Sequence, residues 1–309
     1  MGWSARSVMV NESIKMRHSI NPTLTRAGLA ALLCGTLLCT AAVAADCPGN
    51  ANALGTSRVV AINTKGGPGF GFQHYKFYDF LKPGEVVLTF DDGPLPTHTV
   101  TILKELKRHC VRATFFPVGK LAIGYPHILK KVSEAGHTVG THTWSHPNMA
   151  SRKMTIDKAK DQIEEAISAV KLAIGKPGAP FFRFPYLKDT PETIKYLGQR
   201  NIAVFSTDLD SFDFKGGRPE AMVARVMRNL KKRGKGILLF HDIQRTTARA
   251  MPQLLKKLKE GGYKIVHLTA KQPVTTLPAY DKKIGKSLKG RGNMAQRPIS
   301  SVVETVKEN

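Results

Sequence analysis

The stretch TFDDGP, Thr89 to Pro94, decides how this sequence is interpreted. It ends the apolar, β-forming run VVLTF and places two carboxylates, Asp91 and Asp92, side by side before a Gly-Pro break. Adjacent like charges repel each other, so a chance pairing at a strand end is unfavourable. In parallel α/β folds, however, functional side chains collect at the carboxyl ends of strands. The stretch therefore indicates a functional site.

The composition limits the class of protein. The chain has 309 residues, a hydrophobic fraction of 42% and a formal net charge of +24. These values are typical of a globular protein and exclude a wholly disordered one. The length allows one large α/β domain or two small ones. The positive charge predicts either attraction to an anionic partner, such as the cell-envelope surface, or a charged surface that keeps the protein in solution.

Residues 1–45 have the layout of a secretory signal peptide. Arg17 and Arg26 precede the run GLAALLCGTLLCTAAVA, which offers small residues for cleavage near Ala42 and Ala44. The alternative is a membrane anchor, but the run is short and rich in Ala for a spanning helix. We therefore expect export to the periplasm, the cell envelope or the extracellular space, with no transmembrane span after cleavage.

Export determines which cysteines remain. Cys34 and Cys39 would leave with the signal peptide, whereas Cys47 and Cys110 would stay in an oxidising compartment. Two thiols in such a compartment can pair, but two cysteines are too few to form a disulfide framework. The sequence leaves open whether they form a bridge.

Residues 76–272 alternate between short β-type runs and amphipathic helical runs, in about seven units. This alternation predicts parallel βαβ units and an α/β fold, either a barrel or an open doubly wound sheet. Residues 46–75 form a predicted N-terminal extension. Residues 273–309 form a predicted basic, disordered tail, because KKIGKSLKGRG has no apolar period.

Polar residues stand at the predicted ends of successive strands, so we expect them to meet at one mouth of the fold. They are, in chain order, Asp91, Asp92, His142, Arg183, Tyr186, Thr207, Asp208 and His241.

The segment THTWSH suggests a metal site. His142 and His146 are four residues apart, and on one helical turn both imidazoles would point the same way. Two histidines with ordinary partners remain the alternative. With one aspartate, the pair would make a three-ligand zinc set with a position open for water. The other aspartate could then face that water, and Arg183 is the candidate cation that offsets the repulsion between Asp91 and Asp92.

Five motifs in order, TFDDGP, HTWSH, RFPY, SFDF and LFH, resemble those of the polysaccharide deacetylases, the NodB-like carbohydrate esterase family 4. They extend over roughly residues 85–245. The resemblance implies a distorted (β/α)7-type barrel over residues 76–272 and one divalent metal ion, most commonly Zn²⁺. It also implies removal of N-acetyl groups from N-acetylglucosamine-containing glycans, such as peptidoglycan, chitin oligosaccharides or exopolysaccharide.

The resemblance also implies a role for each motif residue. The implied roles are Asp91 as general base, Asp92, His142 and His146 as metal ligands, Arg183 as the partner that steadies Asp91, the backbone N–H of Tyr186 as an oxyanion donor, His241 as general acid with Asp213 as its partner, and Leu239 and Phe214 as walls of the acetyl pocket. Phe214 stands where the family usually has Trp; it keeps the apolar wall but loses an indole N–H donor.

Some assignments stay open at this stage. Arg183 could be a surface charge at a strand end, and Tyr186 and Leu239 could be core residues. Asp208 or Asp210 could take the place of Asp213, because all three lie in TDLDSFD.

Two other functions would account for part of the sequence. A catalytically inactive carbohydrate-binding relative would be expected to lack the base, a ligand or the acid, yet all are present. An exported basic protein could instead bind an anionic envelope polymer through its charge. Single-stranded nucleic acid is not an expected partner, because its recognition uses aromatic residues among basic ones, and the basic tail has only Tyr280.

Overall fold

The computed structural model describes residues 47–295, with side chains described as far as Lys286. The predicted signal peptide and the last residues of the predicted tail lie outside the described residues. The strands are β1 Thr56–Ile62, β2 Gly69–Phe70, β3 Glu85–Asp92, β4 Thr114–Pro117, β5 Thr138–Val139, β6 Phe181–Phe182, β7 Ala203–Phe205, β8 Leu209–Asp210, β9 Gly236–His241 and β10 Lys264–Ala270. The α-helices are α1 His98–Arg108, α2 Gly119–Gly124, α3 Pro126–Glu134, α4 Ile156–Ile174, α5 Pro191–Gln199, α6 Pro219–Arg233, α7 Arg245–Glu260 and α8 Pro278–Ala295.

Parallel pairing organises these strands into two sheets. The larger sheet has the order β1-β10-β3-β4-β5, with β9 paired to β3 and β8 paired to β9, and the smaller sheet has the order β2-β7-β6. An isolated parallel bridge between Thr141 and Phe182 links the residues after β5 to β6. The prediction of a parallel α/β fold is confirmed.

Strand β3 is central to the larger sheet. Its side chains are buried from Glu85 to Asp91, and only Asp92 at its end is partly exposed. A continuous apolar run is typical of a parallel strand that is covered on both faces. In the register of the sheet, Asp91 lies opposite Phe116 of β4 and His241 of β9. The ends of β3 and β9 therefore meet at the same level.

Stacked aromatic rings form much of the core around β3. The Phe90 ring lies 5.0 Å from the Phe115 ring and 5.7 Å from the Phe240 ring, between centroids. All three side chains are buried. Burial of each stabilises the fold by roughly 1.5–3 kcal/mol relative to exposure, and the stack holds β3, β4 and β9 together.

Local signals in the sequence define the helix ends. Helix α4 follows Thr155, whose hydroxyl accepts a hydrogen bond from the Lys158 N–H, and it ends at Gly175, where φ is 75°. Helix α5 follows Thr190, which forms a reciprocal cap with Thr193. Within residues 47–295, none of the helices has the length and apolar character required to cross a membrane.

The predicted N-terminal extension is part of the sheets. Strand β1 pairs with β10 along most of its length, and β2 pairs with β7. A disulfide joins Cys47 to Cys110 across a sequence separation of 63 residues, which ties the chain before β1 to the residues after α1. The folded unit therefore begins earlier than the predicted domain start at residue 76.

The prediction of a disordered tail over residues 273–309 is wrong for its first part. Helix α8 lies there and packs on α4. The Ile284 side chain is buried, and the Asp281 carboxylate accepts a hydrogen bond of 2.6 Å from the Lys171 ammonium. These tertiary contacts stabilise a helix whose own sequence has little apolar periodicity, so the local pattern could not predict it.

Two buried histidines have pKa values below the ordinary value for a histidine. The His137 Nδ1 atom accepts a hydrogen bond of 3.1 Å from the Ala113 N–H, and His267 lies 3.0 Å from the Thr138 hydroxyl. Burial, with smaller contributions from the charges of His267 and Arg112, lowers the pKa of His137 to about 3. Burial, with a smaller contribution from the charge of Arg112, lowers the pKa of His267 to about 4. Both imidazoles are therefore neutral in the folded protein.

We predict that the free energy of unfolding falls as the pH drops below about 6.5. The folded pKa of each histidine is below its unfolded value, so the stabilisation is complete above about 6.5 and is lost as the pH falls towards the folded pKa. One such histidine contributes a slope of up to about 1.4 kcal/mol per pH unit. Denaturant unfolding at neutral and mildly acidic pH measures this slope.

His137→Gln keeps an oxygen that can accept from the Ala113 N–H but cannot be protonated. This variant should lose less stability between neutral and acidic pH than the wild type. The control is His127→Gln at an exposed position of α3, which should behave as the wild type. Equal slopes in the wild type and His137→Gln would contradict the prediction.

Candidate active site

The carboxyl ends of β3 and β9 and the segments that follow β5 and β6 surround a cavity of about 410 Å³. Eight of the ten predicted site residues line it, namely Asp91, Asp92, His142, His146, Tyr186, Phe214, Leu239 and His241. The other two, Arg183 and Asp213, are completely buried and contact Asp91 and His241 respectively.

A larger cavity does not contain this chemistry. It has a volume of about 720 Å³ and is lined by residues of α1, α7 and the segment after Cys47, including Glu105, His109 and Lys256. None of the ten predicted residues lines it. The combination of side chains, and not cavity size, therefore identifies the candidate site.

The backbone directs Asp91 and Asp92 to different partners. Successive side chains of a strand point to opposite faces, and Asp92 also has a left-handed backbone with φ of 79°. Its side chain approaches the two histidines, whereas the Asp91 side chain contacts Arg183. The two neighbouring carboxylates consequently have separate environments.

Arg183 neutralises and orients Asp91. Its guanidinium donates hydrogen bonds of 2.7 Å to the Asp91 carboxylate and to the Thr89 hydroxyl, and it also donates to the Phe205 and Ser206 carbonyls. Arg183 is thus a buried ion-pair partner and not a surface charge. Burial raises the pKa of Asp91, although the charges of Arg183 and His241 oppose this effect. The raised pKa makes the Asp91 carboxylate a stronger base.

Asp92, His142 and His146 form a cluster of metal-ligating groups, with one ligand atom of each lying within 4.8 Å of the others. The Asp92 Oδ1 atom lies 3.5 Å from His142 Nε2 and 3.4 Å from His146 Nε2. This oxygen is buried and has no hydrogen-bond partner in the part of the chain that the structure describes. A carboxylate oxygen and two imidazole nitrogens that face one another form a ligand set suited to a divalent cation.

The environment of His142 favours the ligand form of its ring. The Nδ1 atom lies 2.7 Å from the Arg183 carbonyl oxygen, so the Nδ1–H group donates a hydrogen bond to that oxygen and the Nε2 lone pair faces Asp92. Burial lowers the pKa of His142 to about 3, although the charge of Asp92 opposes this effect. The imidazole is therefore neutral, as a metal ligand must be.

The two histidines converge without a helix, which corrects the sequence interpretation. Residues 142–146 form an irregular loop in which Thr143 and His146 have left-handed backbones, with φ of 65° and 59°. The Thr143 hydroxyl accepts a hydrogen bond of 3.0 Å from the His146 N–H. The ring centroids are 4.9 Å apart. The loop, and not the spacing of a helical turn, brings the rings together.

Asp213 is the acidic partner of His241. Its carboxylate lies 2.6 Å from His241 Nδ1 and accepts a hydrogen bond of 2.7 Å from the His241 N–H. The Thr247 hydroxyl also donates to it. Burial lowers the pKa of His241, but Asp213 and the charges of Asp91 and Asp92 outweigh this effect and raise it to about 9. The ring is therefore protonated at neutral pH.

The competing aspartates have other contacts. Asp208 accepts backbone hydrogen bonds from Phe72 and Ile237, each of 2.7 Å, and pairs with Arg233. Asp210 lines the cavity and accepts a hydrogen bond from the Phe212 N–H. Neither takes the place of Asp213 beside His241.

The remaining predicted residues form the walls and rim of the cavity. Leu239 is buried, whereas Phe214 and Tyr186 are 51% and 62% exposed, so Tyr186 is not a core residue. The Phe214 ring lies 5.8 Å from the His241 ring, and the Tyr186 ring lies 4.9 Å from the His146 ring. Tyr186 has a left-handed φ of 58°, and its N–H has no acceptor among the described residues.

Sequence reasoning missed several residues of the site. Gln73 lines the cavity although it belongs to the predicted extension, and Leu187 lines it beside Tyr186. Asp242 is buried and accepts hydrogen bonds from the Gly93 N–H and the Thr99 hydroxyl. Asp242 could have been identified from the sequence, because it directly follows the motif residue His241. Gln73 lies next to none of the motifs and could not have been identified in this way.

Comparison with known proteins identifies the family. The polysaccharide deacetylase family profile matches residues 81–205. A peptidoglycan-N-acetylglucosamine deacetylase of Bacillus cereus is 32% identical over 199 residues, covering 63% of this chain and 70% of the relative. Chitin deacetylase 1 of Saccharomyces cerevisiae is 37% identical over 164 residues, covering 52% of each chain.

A solved structure agrees with these matches. A peptidoglycan deacetylase of Bdellovibrio bacteriovorus superposes with a TM-score of 0.64 at 33% identity, covering 72% of this chain and 60% of that one. The chain belongs to the polysaccharide deacetylase family, as the five motifs predicted.

We predict that Asp213→Asn lowers the pKa of His241 by at least about one unit, because it removes the charge that stabilises the imidazolium. An NMR titration of the His241 ring measures this value. Thr247→Val is the control: it removes a neutral donor to Asp213 but keeps the carboxylate charge, so it should not lower the pKa. An unchanged His241 pKa in Asp213→Asn would show that another group keeps the ring protonated.

Proposed function

We propose that this protein is a metal-dependent hydrolase that removes N-acetyl groups from N-acetylglucosamine-containing glycans. One observation carries the proposal: a single cavity holds the cluster of Asp92, His142 and His146 together with the carboxylate of Asp91 and the protonated imidazole of His241. The relatives named as deacetylases of peptidoglycan and chitin support this substrate class.

Asp92, His142 and His146 would hold the metal ion. Two imidazoles and one carboxylate suit Zn²⁺ with a position left open, and they also accept other divalent ions. A divalent ion bound there would supply Lewis acidity towards an amide carbonyl and towards water. The buried, unpartnered Oδ1 atom of Asp92 supports the assignment.

Asp91 would act as the general base. During amide hydrolysis a water oxygen bonds to the carbonyl carbon, and Asp91 would accept the proton that the water loses. Arg183 holds the Asp91 side chain through a hydrogen bond, and the Thr89 hydroxyl accepts a second hydrogen bond from the same guanidinium. Such a proton transfer contributes roughly 10²–10⁴-fold to the rate.

His241 would act as the general acid. Its Nδ1 atom is bonded to Asp213, so the proton on Nε2 is the one available for transfer. When the carbon–nitrogen bond breaks, this proton would go to the leaving amine of the sugar. The products are acetate and a free amino sugar, and His241 is left neutral until it takes up a proton again.

The walls of the cavity would orient the acetamide. Leu239 and Phe214 offer apolar surface to the methyl group. The free N–H of Tyr186 would donate to the oxygen that becomes negatively charged, which stabilises the transition state. The left-handed backbone of Tyr186 is unfavourable for a bulky residue. Backbone strain of this kind occurs mainly at functional sites, which supports the role of the Tyr186 N–H.

We further propose export, with residues 1–45 as the signal peptide and the cell envelope as the place of action. The disulfide between Cys47 and Cys110 supports an oxidising compartment. The excess of Lys and Arg over Asp and Glu in the chain supports electrostatic attraction to an anionic envelope. Peptidoglycan, chitin oligosaccharides and exopolysaccharide present the same acetamide, so a panel of these glycans would define the substrate.

We predict that Asp91→Asn reduces acetate release from N-acetylglucosamine oligomers or peptidoglycan by at least about 100-fold, while the metal content stays that of the wild type. The amide cannot accept the proton, but it keeps the size of the carboxylate. The matched control is Asp157→Asn on the exposed side of α4, which should be fully active. Wild-type activity of Asp91→Asn would refute the role of this residue.

We also predict that acetate release stops when a chelator removes the metal and returns when Zn²⁺ is added. His146→Ala should bind less metal in a metal-content measurement, because it removes one of three ligands. His98→Ala is the control, since His98 lies outside the cluster and contacts the Ile243 carbonyl. Full activity of the metal-free protein would exclude a metal-dependent mechanism.

A further inference from the structure

Asp242 follows His241 at the end of β9, and its carboxylate is buried beside the metal-ligating segment. The Oδ1 atom accepts a hydrogen bond of 2.8 Å from the Gly93 N–H, and the Oδ2 atom accepts one of 2.7 Å from the Thr99 hydroxyl. Both donors are neutral groups. The proposed reaction gives Asp242 no role, yet burying a carboxylate is costly unless it is paired or hydrogen-bonded, and here only neutral donors offset that cost.

The hydrogen bonds of Asp242 hold the backbone on both sides of Asp92. Its own N–H donates a hydrogen bond of 3.1 Å to the Asp91 carbonyl, before Asp92, and its carboxylate accepts from the Gly93 N–H, after Asp92. The Asp92 carbonyl accepts a bond of 3.2 Å from the Val118 N–H of the neighbouring segment. Three successive residues are therefore fixed, two of them by Asp242.

Gly93 fits against this carboxylate because it has no side chain. A Cβ atom added there would lie 2.0 Å from Asp242 Oδ2, and the three nearest atoms all belong to the Asp242 carboxyl group. Such a contact is far shorter than a van der Waals contact. The side chain of Asp242 and the backbone of Gly93 are thus packed directly together.

The conformation that needs this support is that of Asp92. Its φ of 79° is unfavourable for a residue with a side chain and persists only where the surroundings enforce it. In that conformation its Oδ1 atom reaches both His142 and His146. A change in the backbone would move this oxygen away from one or both imidazoles.

We propose that Asp242 is a positioning residue that fixes the left-handed backbone of Asp92 and so presets the site for a divalent cation. The inference rests on the proposed metal site. The Asp242 side chain bonds to Gly93, the residue after the proposed ligand Asp92 on β3. Asp242 itself follows the proposed acid, His241 on β9, so this hydrogen bond connects the two parts of the site.

Binding of Co²⁺ to the metal-free protein tests the proposal, by competition with a chromophoric chelator and by the visible spectrum of the bound ion. Asp242→Ala should weaken Co²⁺ binding roughly 10–100-fold and change the spectrum, as expected when a group that orients a ligand is lost. Asp242→Asn should recover most of the affinity, because its amide oxygen can still accept from the Gly93 N–H. Thermal melting of each metal-free variant reports its fold.

Asp208→Ala is the matched control. The Asp208 side chain is 4% exposed and also accepts two backbone hydrogen bonds, from Phe72 and Ile237, but its contacts among the described residues include none of the metal-ligating residues. This variant should be less stable than the wild type and should bind Co²⁺ with the same affinity. It separates a general loss of stability from a specific loss of metal binding.

Gly93→Ala provides a second test that does not require Asp242→Ala to fold. The added methyl group would displace the Asp242 carboxylate and should also weaken Co²⁺ binding. In the double variant that carries both Gly93→Ala and Asp242→Ala, the added methyl group no longer meets a carboxylate. Its Co²⁺ affinity should therefore be no lower than that of Asp242→Ala alone. If the two substitutions instead weakened binding independently, their effects would add, which would contradict the proposal.

The outcomes separate the two proposals. If His146→Ala loses Co²⁺ binding while a folded Asp242→Ala or Gly93→Ala keeps the affinity and spectrum of the wild type, the positioning role is overturned and the metal site stands. If the wild type binds no Co²⁺ or Zn²⁺, both proposals are overturned.

Discussion

Two neighbouring carboxylates at the end of one buried strand create an electrostatic constraint on the whole site. Asp91 and Asp92 would repel each other if they shared one environment, and burial increases the cost of that repulsion. The fold gives each its own counterpart. Arg183, with no exposed surface, bonds to Asp91, while Asp92 turns through a left-handed backbone towards His142 and His146. The proposed divalent cation would lie between these three groups and would offset the charge of Asp92.

Opposite environments adapt the same side chain to different tasks. His142 is buried next to Arg183 and has a pKa of about 3, so it is a neutral nitrogen donor. His241 is also buried, but Asp213 and the two strand-end carboxylates raise its pKa to about 9, so it carries a proton that it can donate. The pairing of β3 with β9 places Asp91 opposite His241, which sets the proposed base and acid at the same level of one cavity.

The structure differs from the sequence predictions where long-range contacts outweigh local pattern. The basic segment after Leu277 has weak apolar periodicity, yet α8 forms there because Ile284 and Asp281 contact α4. The spacing of His142 and His146 suggested a helical turn, but a loop with two left-handed residues brings the rings together. The residues before the predicted domain supply β1 and β2. The local sequence did not indicate this, because the strand partners of β1 and β2 lie more than a hundred residues further along the chain.

The sequence by itself determined the alternation of strands and helices, the family, and the identity of the ten candidate residues, because these depend on short motifs and on their order. The alternatives for Arg183 and for the partner of His241, the bridge between Cys47 and Cys110, and the support that Asp242 gives to Gly93 were decided only by the tertiary structure. The physical reason is distance along the chain. A hydrogen bond such as that from Gly93 to Asp242 joins residues 149 positions apart, and no local pattern encodes which distant atom will complete it.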